Sequence, residues 1–139
     1  EHKELISFKP FVTRTCHSIA MAGREAPLLA AGYQSVRHQS CCAVYDPERA
    51  EPAAPAWEGA TNETVCSLEW LPDGDGAQLL ATGTSAKWMR IYDTRVPQNE
   101  ASVVISVHAH DGGVGGIRAA LMPMDENYLC SFSADAVDL

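Results

Sequence analysis

The residues of this chain whose types could do chemistry are few and scattered. His108-Ala109-His110-Asp111 sets two imidazoles at alternate positions. Alternate side chains of a strand share a face, which is how a metal site can begin. No third ligand stands near them, so His110 is read as a structural residue and His108 as solvent-facing. Asp111-Gly112-Gly113-Val114-Gly115-Gly116 has the glycines of a phosphate-cradling loop, but no Lys-Ser/Thr follows. The next segment alternates like a strand, where an anion site would need the N-terminus of a helix. Cys41-Cys42 precedes a strand and is assigned to packing, since adjacent cysteines seldom bridge each other. A hydrolase needs a nucleophile, a base and an orienting acid brought together, and neither a Gly-x-Ser-x-Gly elbow nor a Cys-His signature is seen. The sequence therefore predicts no catalytic residue, no cofactor and no metal.

Charge and composition bound what remains. The chain has 139 residues, 46% hydrophobic and 20% charged, the balance of a globular segment with one domain's worth of core. Eighteen acidic against ten basic side chains leave a formal charge of −8, which repels a nucleic-acid backbone and disfavours acidic or phosphate-rich partners. No stretch approaches the roughly 20 apolar residues that cross a bilayer, and the first residues are polar, so neither a signal peptide nor a membrane-inserted segment is expected. The five cysteines are odd in number and form no CxxC pair. That pattern indicates neither a disulfide framework nor a zinc site, and fits a reducing, intracellular compartment. Asn62-Glu63-Thr64 has the form of a glycosylation sequon, which matters only on a secretory route.

The elements that would position these residues repeat along the chain. Leu28-Leu29-Ala30-Ala31-Gly32 is echoed 51 residues on by Leu79-Leu80-Ala81-Thr82-Gly83, and 49 residues further by Tyr128-Leu129-Cys130-Ser131-Phe132. Ala43-Val44-Tyr45-Asp46 is echoed by Arg90-Ile91-Tyr92-Asp93. Each unit opens with an alternating segment, at 16–21, 65–71 and 114–121. In 65–71 the alternation sends Cys66, Leu68 and Trp70 to one face and Ser67 and Glu69 to the other, the period of a half-buried strand. Pro72-Asp73-Gly74-Asp75-Gly76 then supplies turn chemistry. A fourth strand is expected over 102–107, where Val103, Val104 and Ile105 favour extended backbone. Its counterpart in the first unit falls among Pro52 and Pro55, so residues 48–60 read as a loop, with an edge strand at most. Trp70 is assigned to the core, Trp57 to this loop, and Trp88 to a position beside a turn. No helical stripe of ten or more residues is present, and the chain is predicted to be all-β.

Units of 40 to 50 residues, with four short strands and an aromatic-Asp pair closing the third, resemble WD40 repeats, the blades of a β-propeller. Tyr45-Asp46 and Tyr92-Asp93 stand where WD repeats carry Trp-Asp. His110, Ser131, Ser133 and Asp135 resemble the family's histidine before the first strand and its Ser-x-Ser-x-Asp through the second. The resemblance implies that these residues pin blades together. Blade one is expected at about 4–50, the loop at about 48–60, blade two at about 61–107 and the start of blade three at about 108–139. Propellers close with about four to eight blades, so the chain is expected to be part of a larger ring.

Within WD repeats, Val65-Cys66-Ser67-Leu68-Glu69-Trp70-Leu71-Pro72 is similar to the Cys-Leu-Ser-Leu-Cys-Trp-Leu-Pro of the Mio family. Those proteins are subunits of the GATOR complex, called SEA in fungi, which signals amino-acid sufficiency to the target-of-rapamycin kinase complex. Leu79-Leu80-Ala81 and Arg90-Ile91-Tyr92-Asp93-Thr94-Arg95 follow in the same order. The family also has an insertion like the one around Ser35-Val36-Arg37-His38-Gln39, which sets Tyr45 thirteen positions after Gly32 where Tyr92 follows Gly83 by nine. The family's solenoid and zinc module have no counterpart in this sequence, so no zinc ligand is carried over. What the resemblance implies is a non-catalytic scaffold whose partners are other protein subunits, in the cytoplasm or at the lysosomal or vacuolar surface. A WD40 adaptor of another complex, in ubiquitin ligation or trafficking, and a propeller enzyme are the alternatives, because fold alone does not determine function.

Overall fold

A computed structural model describes residues 14–22, 27–37, 39–51, 54–59, 61–71, 78–97, 102–121, 127–133 and 137–138. Their regular structure is entirely β, in three antiparallel sheets that follow one another along the chain. The first sheet is a meander of β1 (Cys16–Met21), β2 (Leu29–Tyr33), β3 (Cys42–Tyr45) and β4 (Trp57–Gly59). The second repeats it with β5 (Val65–Trp70), β6 (Leu79–Thr84), β7 (Trp88–Asp93) and β8 (Val103–His108). The third holds β9 (Gly116–Leu121), β10 (Asn127–Phe132) and β11 (Val137–Asp138).

The echoes in the sequence occupy the same rungs of the ladders. Leu29 faces Tyr45 across β2 and β3, as Leu80 faces Tyr92 across β6 and β7. Ser18 faces Gly32 as Ser67 faces Gly83, and in both sheets the register shifts just before the serine. A bulge of this kind adds one residue to a strand and re-aims the side chains beyond it. The expected alternation in 65–71 is corrected accordingly. Leu68 and Trp70 are buried as predicted, but Cys66 is only half-buried and Ser67, expected outside, is inside.

The deeper reason is that a sheet here is covered on both faces, so alternation no longer separates inside from outside. Ile19, Leu68 and Ile117 hold corresponding places in β1, β5 and β9. Leu68 and Ile117, each with another sheet before it, are 6% and 3% exposed, whereas Ile19 is 66% exposed. Burying a leucine or isoleucine in this way contributes about 1.5–3 kcal/mol. One core joins the first two sheets, with Ala30, Val44 and Trp57 meeting Val65, Leu68, Leu80 and Tyr92. Another joins the second and third through Ala81, Ile91, Val114 and Ile117.

Trp57, expected in a loop, lies instead in β4 and is buried. The strand is only three residues long, consistent with the prolines before it. Its indole stands edge-on to Tyr92 of the next sheet at 5.4 Å, and Nε1 donates to the Val96 carbonyl at 3.0 Å. An aromatic of that size lowers its free energy more by packing into the neighbouring sheet than by lying on a polar loop.

Candidate functional site

The aromatic-Asp pairs lie at one end of their sheets and do different work. Tyr45 is fully buried, and its hydroxyl is 3.1 Å from that of Tyr33; burial and this contact push its phenol well above the usual range. Tyr92 is equally buried, with its phenol pushed up to about 12 by desolvation. Asp46 Oδ1 accepts from the Glu48 amide at 2.9 Å, closing the turn after β3. Asp93 does the same for the Arg95 amide at 3.0 Å and also takes its guanidinium at 2.9 and 2.7 Å. The bonds from Arg95 hold the Asp93 carboxyl below the usual carboxylate range.

At the opposite end of the third sheet, His110 Nε2 lies 3.0 Å from Ser131 Oγ in a buried contact. Ser133 is half-buried nearby in sequence, and Asp135 lies outside the described residues. His108 is exposed and stacks edge-on against Trp88 at 5.6 Å, so the two histidines face different surroundings. Among the described residues no three His, Cys, Asp or Glu side chains converge on a metal position. Cys41 and Cys42 are fully buried, and desolvation pushes the Cys42 thiol up to about 12, away from nucleophilic chemistry.

Two features escaped the sequence reading. The first is a repeated fastening between sheets. Ser18 Oγ donates to the Val65 carbonyl at 3.5 Å, and Ser67 Oγ to the Val114 carbonyl at 3.3 Å. Gly32 and Gly83 make room for this, because a Cβ on either would sit within 2.6 Å of the serine oxygen and of a valine methyl. Each contact spans 47 residues, and a serine within an alternating strand reads as solvent-facing until the neighbouring sheet is in place.

The second is a polar knot at the same end of the second sheet as His108. Glu63 receives Arg90 Nη1 at 2.9 Å and Nη2 at 3.0 Å, and the Thr84 hydroxyl donates to it at 2.5 Å. The hydrogen bonds from Arg90 lower the Glu63 pKa. The Arg90 guanidinium also lies 5.5 Å from the centre of the Trp88 ring. Nothing periodic links residues 63, 84 and 90, so pattern reading had no signal to follow.

Successive four-stranded meanders packed face to face, each fastened to the next through its first strand, define this chain as a section of a WD40-type β-propeller. Chains in two Polycomb Repressive Complex 2 structures have the same fold. A humanized mutant of the Chaetomium thermophilum complex bound to the inhibitor GSK126 superposes with a TM-score of 0.60 at 16% identity over 88% of this chain and 26% of that one. An active complex in the basal state gives 0.61 at 17% identity over 94% and 28%. No family model matches the chain. In sequence it is similar to the GATOR2 complex protein MIOS of Dictyostelium discoideum, 32% identical over 82 residues, which is 59% of this chain and 7% of that protein's length.

Proposed function

We propose that this chain belongs to a non-catalytic scaffold subunit of a GATOR/SEA-type complex and contributes to amino-acid signalling to the target-of-rapamycin kinase complex. The observation that carries this reading is the similarity to MIOS, whose name makes it a protein of the GATOR2 complex, in a chain with a propeller fold. In this reading the blades follow the divisions at about 4–50, 61–107 and 108–139. Tyr45, Asp46, Tyr92, Asp93, His110, Ser131, Ser133 and Asp135 are architectural residues that close turns and pin strands. The partners are other protein subunits, with no nucleic acid and no direct insertion into a membrane. The protein works in the cytoplasm or at the lysosomal or vacuolar surface through its complex.

Affinity purification of the full-length protein from cells tests the assignment. Recovery of other WD-repeat subunits of one complex is the expected result, and repeated purifications without them would sink it. The non-catalytic reading fails if the full-length protein shows turnover that is abolished by changing His110 or Asp111.

A further inference from the structure

The long connection between β2 and β3 is anchored at its described residues, 34–37 and 39–41. Arg14, 9% exposed, holds both ends of it: Nε and Nη2 donate to the Gln34 carbonyl at 2.9 and 2.6 Å, and Nη1 to that of Ser40 at 2.7 Å. The Ser35 amide donates to Thr64 Oγ1 at 2.9 Å, and its hydroxyl donates to the Asn62 carbonyl. Thr64 also binds the second sheet, its carbonyl accepting from the Ser85 amide at 2.9 Å. The insertion of the first blade and the β6–β7 turn of the second, residues 85–87, therefore flank one residue. Beside them the Arg90–Glu63 pair fixes Trp88, which remains half-exposed.

What this platform presents runs against the chain's overall sign. Arg37 and Lys87 are exposed and have no anionic partner among the described residues, while Glu63 is occupied by Arg90. Asp111, in the β8–β9 connection, is an exposed acid at the same end. Val36 adds an exposed apolar side chain beside Arg37, as Trp88 does beside Lys87. Lys87 also has φ of 76°, the one positive value outside glycine among the described residues. A three-residue hairpin turn calls for that conformation at its last position, where glycine is the residue free of strain. The chain carries a lysine there instead.

We propose that the blade ends around Arg37, Thr64, Lys87 and Trp88 bind an acidic, extended segment of a partner protein. Carboxylates of that segment meet Arg37 and Lys87, and an apolar side chain packs on Trp88. The inference rests on the scaffold reading and specifies its partner's chemistry. Two exposed cations, unpaired among the described residues, on a chain of net charge −8 select for this local arrangement, because the remaining surface repels the same ligand.

The test uses the full-length protein and a fluorescein-labelled peptide of glutamate and leucine, followed by anisotropy, with a lysine–leucine peptide of equal length for comparison. The acidic peptide is expected to bind, more weakly as salt rises. Arg37→Glu and Lys87→Glu should each weaken it by about tenfold or more. Lys87→Gly separates function from folding: it should raise the melting temperature and still weaken binding. Absence of binding, preference for the lysine peptide, or full affinity in Lys87→Gly would each overturn the proposal. Affinity purification with the same variants distinguishes the two readings. An assembled complex from a protein that ignores the acidic peptide defeats only this inference, whereas failure of the wild type to recover WD-repeat subunits defeats the scaffold assignment.

Discussion

The Ser67 hydroxyl donates to the Val114 carbonyl at 3.3 Å across the boundary between two blades, with Gly83 opposite Ser67 leaving the space for it. The same relation joins Ser18 to Val65. A propeller built this way is fastened by backbone acceptors that any sequence supplies and by a hydroxyl that must reach them. Gly83→Val should destabilise the fold by about 1–3 kcal/mol, since an added side chain meets Ser67 Oγ at 2.3 Å and a Val114 methyl at 2.6 Å. Ser67→Ala should cost about 0.5–1.5 kcal/mol. Urea denaturation compares the two, and a Gly83→Val protein as stable as wild type would refute the crowding argument.

Trp57 carries more of the first seam than its three-residue strand suggests. Trp57→Ala should destabilise by about 3–5 kcal/mol through lost burial against Tyr92, and Trp57→Phe by less, since the ring contact persists without the bond to Val96. Thermal denaturation of both variants gives the order. Equal melting temperatures for the two would place the energy elsewhere.

The Glu63–Arg90 pair sets a pH dependence. A carboxyl whose pKa is lowered on folding stabilises the protein above its unfolded value, here the ordinary 4.5, and that stability is lost as pH falls through the lowered folded value. Acid titration of stability should therefore show a loss below about pH 4.5 that is smaller in Glu63→Gln. At neutral pH, Glu63→Gln should cost about 1 kcal/mol, the pair being partly open to screening. Asp93 shifts the same way, but its partner Arg95 is exposed and the pair is screened, so its share is slight.

In the third blade, Ser131→Ala removes the partner of His110 Nε2 and should cost about 1–2 kcal/mol. Hydrogen exchange is the suitable measurement. Amides of β9 and β10 should lose protection while those of β2 and β3 keep theirs, and uniform loss would mean that the blades unfold as one unit.

Lys87→Gly is expected to stabilise by about 1 kcal/mol, from relief of the positive φ. Differential scanning calorimetry reads this directly, and a lower melting temperature would mean that the lysine side chain has contacts that outweigh the strain.

Much of the architecture was legible because it is written locally. The echo of Leu28–Gly32 in Leu79–Gly83 appears as the same pairing, Leu29 with Tyr45 and Leu80 with Tyr92. The strand predicted over 102–107 is present as β8, and Trp70 is in the core. Trp57 was misplaced because the prolines before it describe the approach to β4, while the pocket it fills belongs to the next blade.

Period-two alternation, turn residues and the repeat are properties of neighbouring positions, and from them the sequence by itself determined an all-β chain of four-stranded units. Tertiary structure decided which side chains are inside, because sheets covered on both faces bury polar Ser67 beside apolar Leu68. It decided that Glu63 is spent on Arg90, 27 residues away, through a contact that no spacing encodes. It also decided where charge resides. Net charge is a sum that ignores position, whereas antiparallel strands send successive connections to opposite ends, leaving Arg37, Lys87 and Asp111 at one end and Asp46, Asp93 and Arg95 at the other.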